Sequence, residues 1–442
     1  MAGGTFDKSI GKIRPGTYIN FESSRHETLS GTDRGTVILP LINHSYGPEK
    51  EFITLSAQSP DSAFDKLGYS VYDDNPSMLL IREALKNAAT VIVYIAKSGT
   101  KATASGGGLT AAAKYGGSRG NLLSFSVASN PVSGFDVTVF LGSSKVEIFE
   151  GISGVENLSE SKYITFTAED GVEIQNTAGM SLEGGADEKA ENADITAFLD
   201  DMESMPFNTL CFPVTEESLL AACVTKIKYL REKVGRRIKA VVADYKADYE
   251  GVINVTNSVV INGVELTNAQ ATAWVAGADA AASNTQSNTH KIYVGAEAIA
   301  RPKTHEQAEM AIQNGEFFFS YSENGEVVVE YDINSLTTFT DKKDKSYSKN
   351  RVMRVLDSFA DAIKLNFPPN KYSNNETGWD VMDGMGRSIL KQFADAGAIQ
   401  NVDYNADFAV VRGESKGDST YFNVAIEPVD SAEKLYFTVV TR

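Results

Sequence analysis

The apolar positions of this chain change period several times between its two ends. Near the start, Thr17-Tyr18-Ile19-Asn20-Phe21 alternates and is rich in β-favouring side chains. A short strand with no local partner must pair with something distant in the sequence, or with another chain. Positions 35–41 read as a strand, and 90–95 is nearly all apolar, as expected of a strand covered on both faces. Between them, Asn75-Pro76 combines an N-cap with proline at the first helical position. Met78, Ile81, Leu85 and Ala88 then recur at helical spacing. From 98 the chain becomes glycine-rich and loop-like, with short β runs at 122–127, 135–141, 145–149 and 163–166. Runs separated by about 8–12 residues with turn signals predict a small all-β domain.

Helical and extended patterns then alternate again. Asp194 is expected to cap a helix carrying Ile195, Phe198, Leu199 and Met202, and Thr215 to open one carrying Leu219, Cys223, Ile227 and Leu230. Strands are expected at 207–212, 238–243 and 252–261. Thr267/Gln270 and Thr304/Gln307 have the spacing of capping boxes, and Glu323-Asn324-Gly325 is a hairpin signal. This alternation predicts a mostly parallel sheet covered on both faces. A charged link at 342–345 leads to a helix marked by Val352, Val355, Leu356, Phe359 and Ile363, which Pro368-Pro369 stops. A second helix is expected over roughly 379–396, followed by β runs at 407–412, 421–426 and 435–440. The last ends two residues before position 442, where fraying is the default, so it needs a partner to hold it.

The expected organisation is α/β and multidomain. It comprises an N-terminal arm (1–24), an α/β segment (25–97), a β-sandwich-like insertion (98–185), an α/β domain (186–340) and an α+β C-terminal domain (341–442) with an extended terminal arm. The chain's 442 residues suit two to four domains at about 100–200 residues each.

Composition removes function classes. A formal charge of −17 repels phosphate backbones and disfavours nucleic-acid binding. No run of about 18 apolar residues suggests a membrane span, and the first residues lack the apolar core of a signal peptide. Cys211 and Cys223 form no CxxC pair, and no two of His26, His44, His290 and His305 stand at metal-ligand spacing. A Walker A motif is missing. Asp244 ends a predicted strand, where α/β enzymes often place an acid, but it is read as a cap or loop residue. Catalytic, cofactor and metal sites are therefore assigned to no residue. One charge contrast stands out. Positions 187–203 carry seven acids and one lysine, whereas 226–239 carry seven bases and one acid. These are two solvated faces, or faces that meet between copies of the chain, with Asp200, Asp201, Arg236 and Arg237 as candidates.

Four stretches then resemble one family. Ala273-Trp274-Val275-Ala276-Gly277 is similar to a helix motif of contractile phage tail sheath proteins. So are Asp332-Ile333-Asn334-Ser335-Leu336-Thr337-Thr338-Phe339 with its continuation, positions 351–357, and Ala113-Lys114-Tyr115-Gly116-Gly117-Ser118-Arg119-Gly120-Asn121. The fourth is Arg14-Pro15-Gly16-Thr17-Tyr18. Gly117 departs from relatives that carry proline beside a glycine. The resemblance spans nearly the whole chain. It implies a subtilisin-like α/β domain without a catalytic triad, and no cofactor. It implies self-assembly into hexameric rings stacked around a tail tube, with baseplate and tail terminator proteins as further partners and neither nucleic acid nor membrane insertion. It also implies a place in a virion tail or bacteriocin particle, assembled in the host cytoplasm and released by lysis. Exchanged arms would involve Ile13, Pro15, Tyr18, Ile19 and Phe21 at one end and Leu435, Phe437 and Val439 at the other. Arg387 and Lys391 would face the tube. The competing expectations are a cryptic hydrolase on the same fold and an adhesin using the β domain.

Overall fold

The computed structural model describes residues 35–441. At its centre lies a seven-stranded sheet in the spatial order Glu316–Phe317, Val252–Val255, Lys239–Ala243, Thr209–Cys211, Thr36–Leu41, Thr90–Ile95, Phe52–Ser56. All neighbours are parallel except the edge strand Phe52–Ser56, which runs antiparallel to Thr90–Ile95. Successive side chains point to opposite faces, and both faces are covered. Val37, Leu39, Val91 and Val93 pack with Ile81 and Trp274 on one side; Ile38, Ile92, Leu210, Ala240 and Val242 pack with Phe198, Leu220 and Cys223 on the other. This double covering is why the strands read as continuous apolar runs.

Helices Pro76–Leu85 and Asn268–Ala281 lie together on the first face. Their close approach depends on Gly277, where an added Cβ would stand 2.4 Å from the Ala84 carbonyl oxygen. Trp274 stacks on Tyr293 at 4.3 Å between ring centroids. Both capping boxes form: Thr267 and Gln270 exchange bonds, as do Thr304 and Gln307.

Local differences from the sequence pattern have identifiable causes. Helix Asn192–Asp201 is capped by Glu191, and Asp194 sits three residues in, accepting from the Glu191 N–H at 3.0 Å. Helix Glu217–Tyr229 starts after Glu216 rather than at Thr215. The run 252–261 is two strands in different sheets. Asn257 breaks it by acting like a strand residue towards Phe319, donating to its carbonyl at 2.9 Å and accepting from its N–H at 2.8 Å. Val259–Ile261 then pairs with Ala298–Ile299 and Val264–Glu265.

Two antiparallel sheets form the β unit. Thr177–Ser181, Leu123–Ser129, Phe135–Leu141 and Ser144–Ile152 make one; Thr103–Gly106, Leu109–Ala113 and Ile164–Ala168 make the other. Leu109, Phe125, Val137, Val139 and Phe166 fill the space between them. Thr100 and Ala186 bridge where the chain enters and leaves. Arg119 reaches back from this unit, donating to the Gly68 carbonyl at 2.7 Å and lying 4.4 Å over Tyr69.

The C-terminal unit packs helices Asn350–Asn366 and Glu376–Asp395 with the hairpin Phe408–Val410/Phe422–Val424. Gly386 lets the second helix meet Phe408, since a Cβ there would lie 1.9 Å from that ring. The expected strand at 435–440 is the clearest departure: it has no ladder to any described residue.

Candidate assembly interface

The end of the chain is built in two parts, one gripped and one bare. Glu427–Pro428 pairs with Ile399–Gln400, and the Val429 N–H donates to the Ala398 carbonyl at 2.9 Å. Beyond this the grip passes to side chains. Asp430 lies 3.4 Å from the Lys349 ammonium. The Ser431 hydroxyl accepts from Arg351 at 2.6 Å. Glu433 accepts from the hydroxyls of Ser287 at 2.8 Å and Thr289 at 2.7 Å, and its second oxygen pairs with Lys349. Burial alone would lower the Lys349 pKa, but its bond to Glu433 and the Glu433 charge outweigh burial and hold it above the ordinary lysine value. After Glu433 the chain carries Leu435, Tyr436, Phe437, Val439 and Val440, all 66–89% exposed. Five large apolar side chains in six positions, so exposed, form a contiguous patch of the kind that marks an interaction site.

Next to this root lies a buried polar network joining the central sheet to the C-terminal unit. Asp279, near the end of helix Asn268–Ala281, accepts from Lys239 at 3.0 Å, Arg354 at 2.8 Å and Thr209 at 3.0 Å. Arg354 also donates to Asp332 at 2.6 Å and to the Gln286 carbonyl at 2.8 Å. Asn350 donates to Asp332 at 2.9 Å. Arg231 makes a two-bond fork to Asp357 at 2.8 and 3.0 Å. Burial pushes Asp279 towards the neutral form, yet the two facing cations prevail and hold its carboxyl below the usual range. Helix Asn350–Asn366 thus gives Asn350, Arg354 and Asp357 to this network and Val355 and Phe359 to its own domain's core.

The residues singled out from the sequence fall in different places. Ile13, Pro15, Tyr18, Ile19 and Phe21 lie outside the described residues. Leu435, Phe437 and Val439 lie on the bare tail. Acidic and basic segments meet within one chain: Lys226 bridges Asp200 at 3.1 Å and Glu203 at 2.9 Å. Asp201 accepts from the Tyr94 hydroxyl at 2.7 Å. Arg236 donates to the Glu203 and Met205 carbonyls and lies over Phe207, whereas Arg237 is exposed. Arg387 and Lys391 are exposed on helix Glu376–Asp395, with Lys391 paired to Asp395 at 2.8 Å. Asp244 is a loop residue with φ of 52°, its carboxylate bonded by Asn268. His44 is buried and donates to the Leu67 carbonyl, and His305 faces Glu309. Among the described residues no helix is long and apolar enough to cross a membrane.

Glu433, Lys349, Ser287, Thr289 and Asp279 were not singled out by their sequence context. One signal did exist: Asn350, Arg354 and Asp357 recur at helical spacing as a polar stripe beside an apolar one.

Comparison with known proteins decides the family. Four family descriptions match in succession: Tail sheath protein Gp18 domain III N-terminal region over 34–94, phage tail sheath protein beta-sandwich domain over 97–187, phage tail sheath protein central domain over 188–335 and phage tail sheath C-terminal domain over 342–442. The phage-like element PBSX protein XkdK of Bacillus subtilis (strain 168) is 36% identical, covering 99% of each chain. The chain belongs to the phage tail sheath family. This sheath protein also superposes on the sheath tail protein of Desulfitobacterium hafniense with a TM-score of 0.82 and 37% identity, over 96% of this chain and 99% of that one. The contracted helical sheath of the anti-feeding prophage shares the fold at 12% identity, with a TM-score of 0.57 over 98% of this chain and 100% of that one. The mixed α/β architecture with its β-sandwich domain is therefore that of tail sheath proteins.

Proposed function

We propose that the chain is the repeating structural subunit of a contractile sleeve, that copies link through exchanged terminal strands, and that stacked hexameric rings rearrange as rigid bodies to drive a tube. The observation that carries this reading is the tail at 435–440. It has a strand-forming sequence and five exposed apolar side chains, with no ladder partner among the described residues of its own chain. An isolated strand of this kind finds its hydrogen bonds by adding to the edge of a sheet in another molecule. About five ladder bonds at roughly 0.5–1.5 kcal/mol each give on the order of 5 kcal/mol per arm, and repetition around a ring multiplies the effect. The N-terminal residues 13–21 are proposed as the matching arm.

Several finer assignments belong to the same proposal. The domain at 186–340 is the subtilisin-like one, used as a scaffold without a triad. The insertion at 98–185 is outer decoration, and the domain beginning at 341 carries Arg387 and Lys391 towards the tube. Of the charged residues suggested for contacts between copies, Arg237 and the exposed side of Asp200 are best placed; Arg236 is occupied by its own chain's carbonyls. The proposed particle is a phage tail or a tail-like injection device assembled in a bacterial host, with baseplate, terminator and tube proteins as partners.

Negative-stain microscopy tests the reading. Purified full-length chain should form rings or sleeves, and a chain ending at Lys434 should remain as separate subunits. Equal assembly by the shortened chain would refute the role given to the tail.

A further inference from the structure

The tail belongs to the C-terminal unit by sequence, yet its last anchored residue is held mainly by other parts of the chain. Ser287 and Thr289, which hold Glu433, lie in the loop after helix Asn268–Ala281, in the central region. Lys349 stands immediately before helix Asn350–Asn366. The Glu433 and Lys349 side chains are only 10% and 13% exposed. That sets the pair apart from surface ion pairs, which contribute little. Both carboxylate oxygens are used, one by two hydroxyls and one by the ammonium.

The grip alternates along the backbone. Ser431 and Glu433 point inward to partners, while Ala432 and Lys434 are exposed, which is the period of an extended strand. Continued outward, the inward phase falls on Leu435, Phe437 and Val439. The face that grips through polar groups thus becomes apolar one step past the root.

The socket is also wired to the buried network. The Thr289 hydroxyl that donates to Glu433 accepts from the Asp332 N–H at 3.0 Å, and the Asp332 carboxylate binds Arg354, which binds Asp279. A continuous series of short polar contacts therefore runs from the tail to Lys239 on the central sheet.

We propose that Glu433 is the root of the C-terminal arm: a fixed joint that transfers load from the tail directly to the central domain and leaves residues from Lys434 onward as the part of that arm that reaches a second copy of the chain. That a second copy receives those residues rests on the function proposed above; the rooting itself does not.

Spin labelling tests the joint in the full-length chain at a dilution where it is monomeric. Cys211 and Cys223 are fully buried, and burial pushes the Cys211 thiol up to about 12, so an introduced exposed cysteine reacts alone. A nitroxide at A432C should be slow and one at T438C fast. With Glu433→Ala the label at 432 should become mobile, its detached fraction rising about tenfold or more, as expected for loss of a charge-assisted contact. Glu433→Gln, which keeps an acceptor for the hydroxyls and drops the ion pair, should give a smaller rise, while the label at 438 stays fast throughout. A label at 432 as mobile as one at 438 in the parent chain overturns the proposal, as does one left slow by Glu433→Ala. The chain ending at Lys434 separates the two ideas: a slow label at 432 together with unimpaired assembly would retain the root and remove the arm.

Discussion

Replacing Asp279 by asparagine changes one charge and almost no volume, at the point where the central sheet and the C-terminal helix share a carboxylate. In the parent chain that carboxylate faces Lys239 at 3.0 Å and Arg354 at 2.8 Å, and Thr209 donates to its second oxygen. Asparagine keeps one acceptor and puts an NH2 group where the other oxygen was. Either Thr209 or the two cations then lose a bond, and in both cases Lys239 and Arg354 stay buried with their nearest shared anion gone. Asp332 still faces Arg354 at 2.6 Å, so the greater loss falls on Lys239, whose remaining hydrogen-bond partner among the described residues is Asn350 at 3.4 Å. Breaking a buried pair from one side costs about 3–5 kcal/mol, and that is the expected loss. Urea unfolding followed by tryptophan fluorescence measures it. The two tryptophans, Trp274 and Trp379, lie in the central core and the C-terminal unit, so single Trp→Phe variants report each region separately. Both transitions should move to lower urea, because Asn350–Asn366 stands with one face in each region. Arg412→Met is the contrast: its guanidinium contacts Glu376, Asp380 and Asp383 at the surface, where solvent screens the charges, and the midpoint should stay put. An unchanged midpoint for Asp279→Asn with both probes would show that the network carries no net stability and would refute this reasoning. Lowering the pH should act on the same group. The folded pKa of Asp279 is depressed, so its contribution is complete above the ordinary aspartate value of about 4 and is lost as the pH falls through the lower folded value.

Two further outcomes follow from the packing. His44 is buried, and desolvation lowers its pKa to about 4. The folded chain therefore binds this proton less readily than the unfolded one, and stability should fall by roughly 3 kcal/mol as the pH drops from about 6.5 to 4. His44→Gln, which can still donate to the Leu67 carbonyl, should flatten that part of the pH profile; an unchanged slope in denaturant titrations across the range would count against the assignment. Gly277→Ala places a methyl group 2.4 Å from the Ala84 carbonyl oxygen and should cost about 1–3 kcal/mol by forcing two helices apart, read as a lower thermal midpoint; a midpoint equal to the parent's would mean that the helices yield freely.

Features that depend on neighbours in sequence were legible, and those that depend on distant neighbours were not. Asn75-Pro76 and the two Thr/Gln boxes carry their partners within three residues, so their bonds could be written down from the chain alone. The apolar run at 90–95 likewise announced a strand covered on both faces. Asn257 could not be read this way: it splits a continuous β run only because Phe319, 62 residues away, supplies the backbone it imitates. Glu433 was illegible for the same reason, since Ser287 and Thr289 lie more than 140 residues away. Asp279 and Arg354 likewise meet only because the fold brings them together across 75 residues.

The tail is a different case, because there the local pattern and the folded chain disagree. Aromatic and β-branched side chains at 435–440 ask for a ladder, and the described residues of the same chain offer none. Sequences are normally consistent across levels, and a segment that breaks this consistency without a compensating contact is where a function is expected. A disordered end would have resolved the conflict by composition, through charges, glycine or proline; instead the segment is apolar. It begins two residues past a carboxylate that three side chains hold. Anchoring the base of a strand while leaving its hydrogen-bonding groups open lowers the conformational entropy that pairing must overcome. On the function proposed above, that arrangement would favour capture by a partner's sheet edge over collapse onto the chain's own surface.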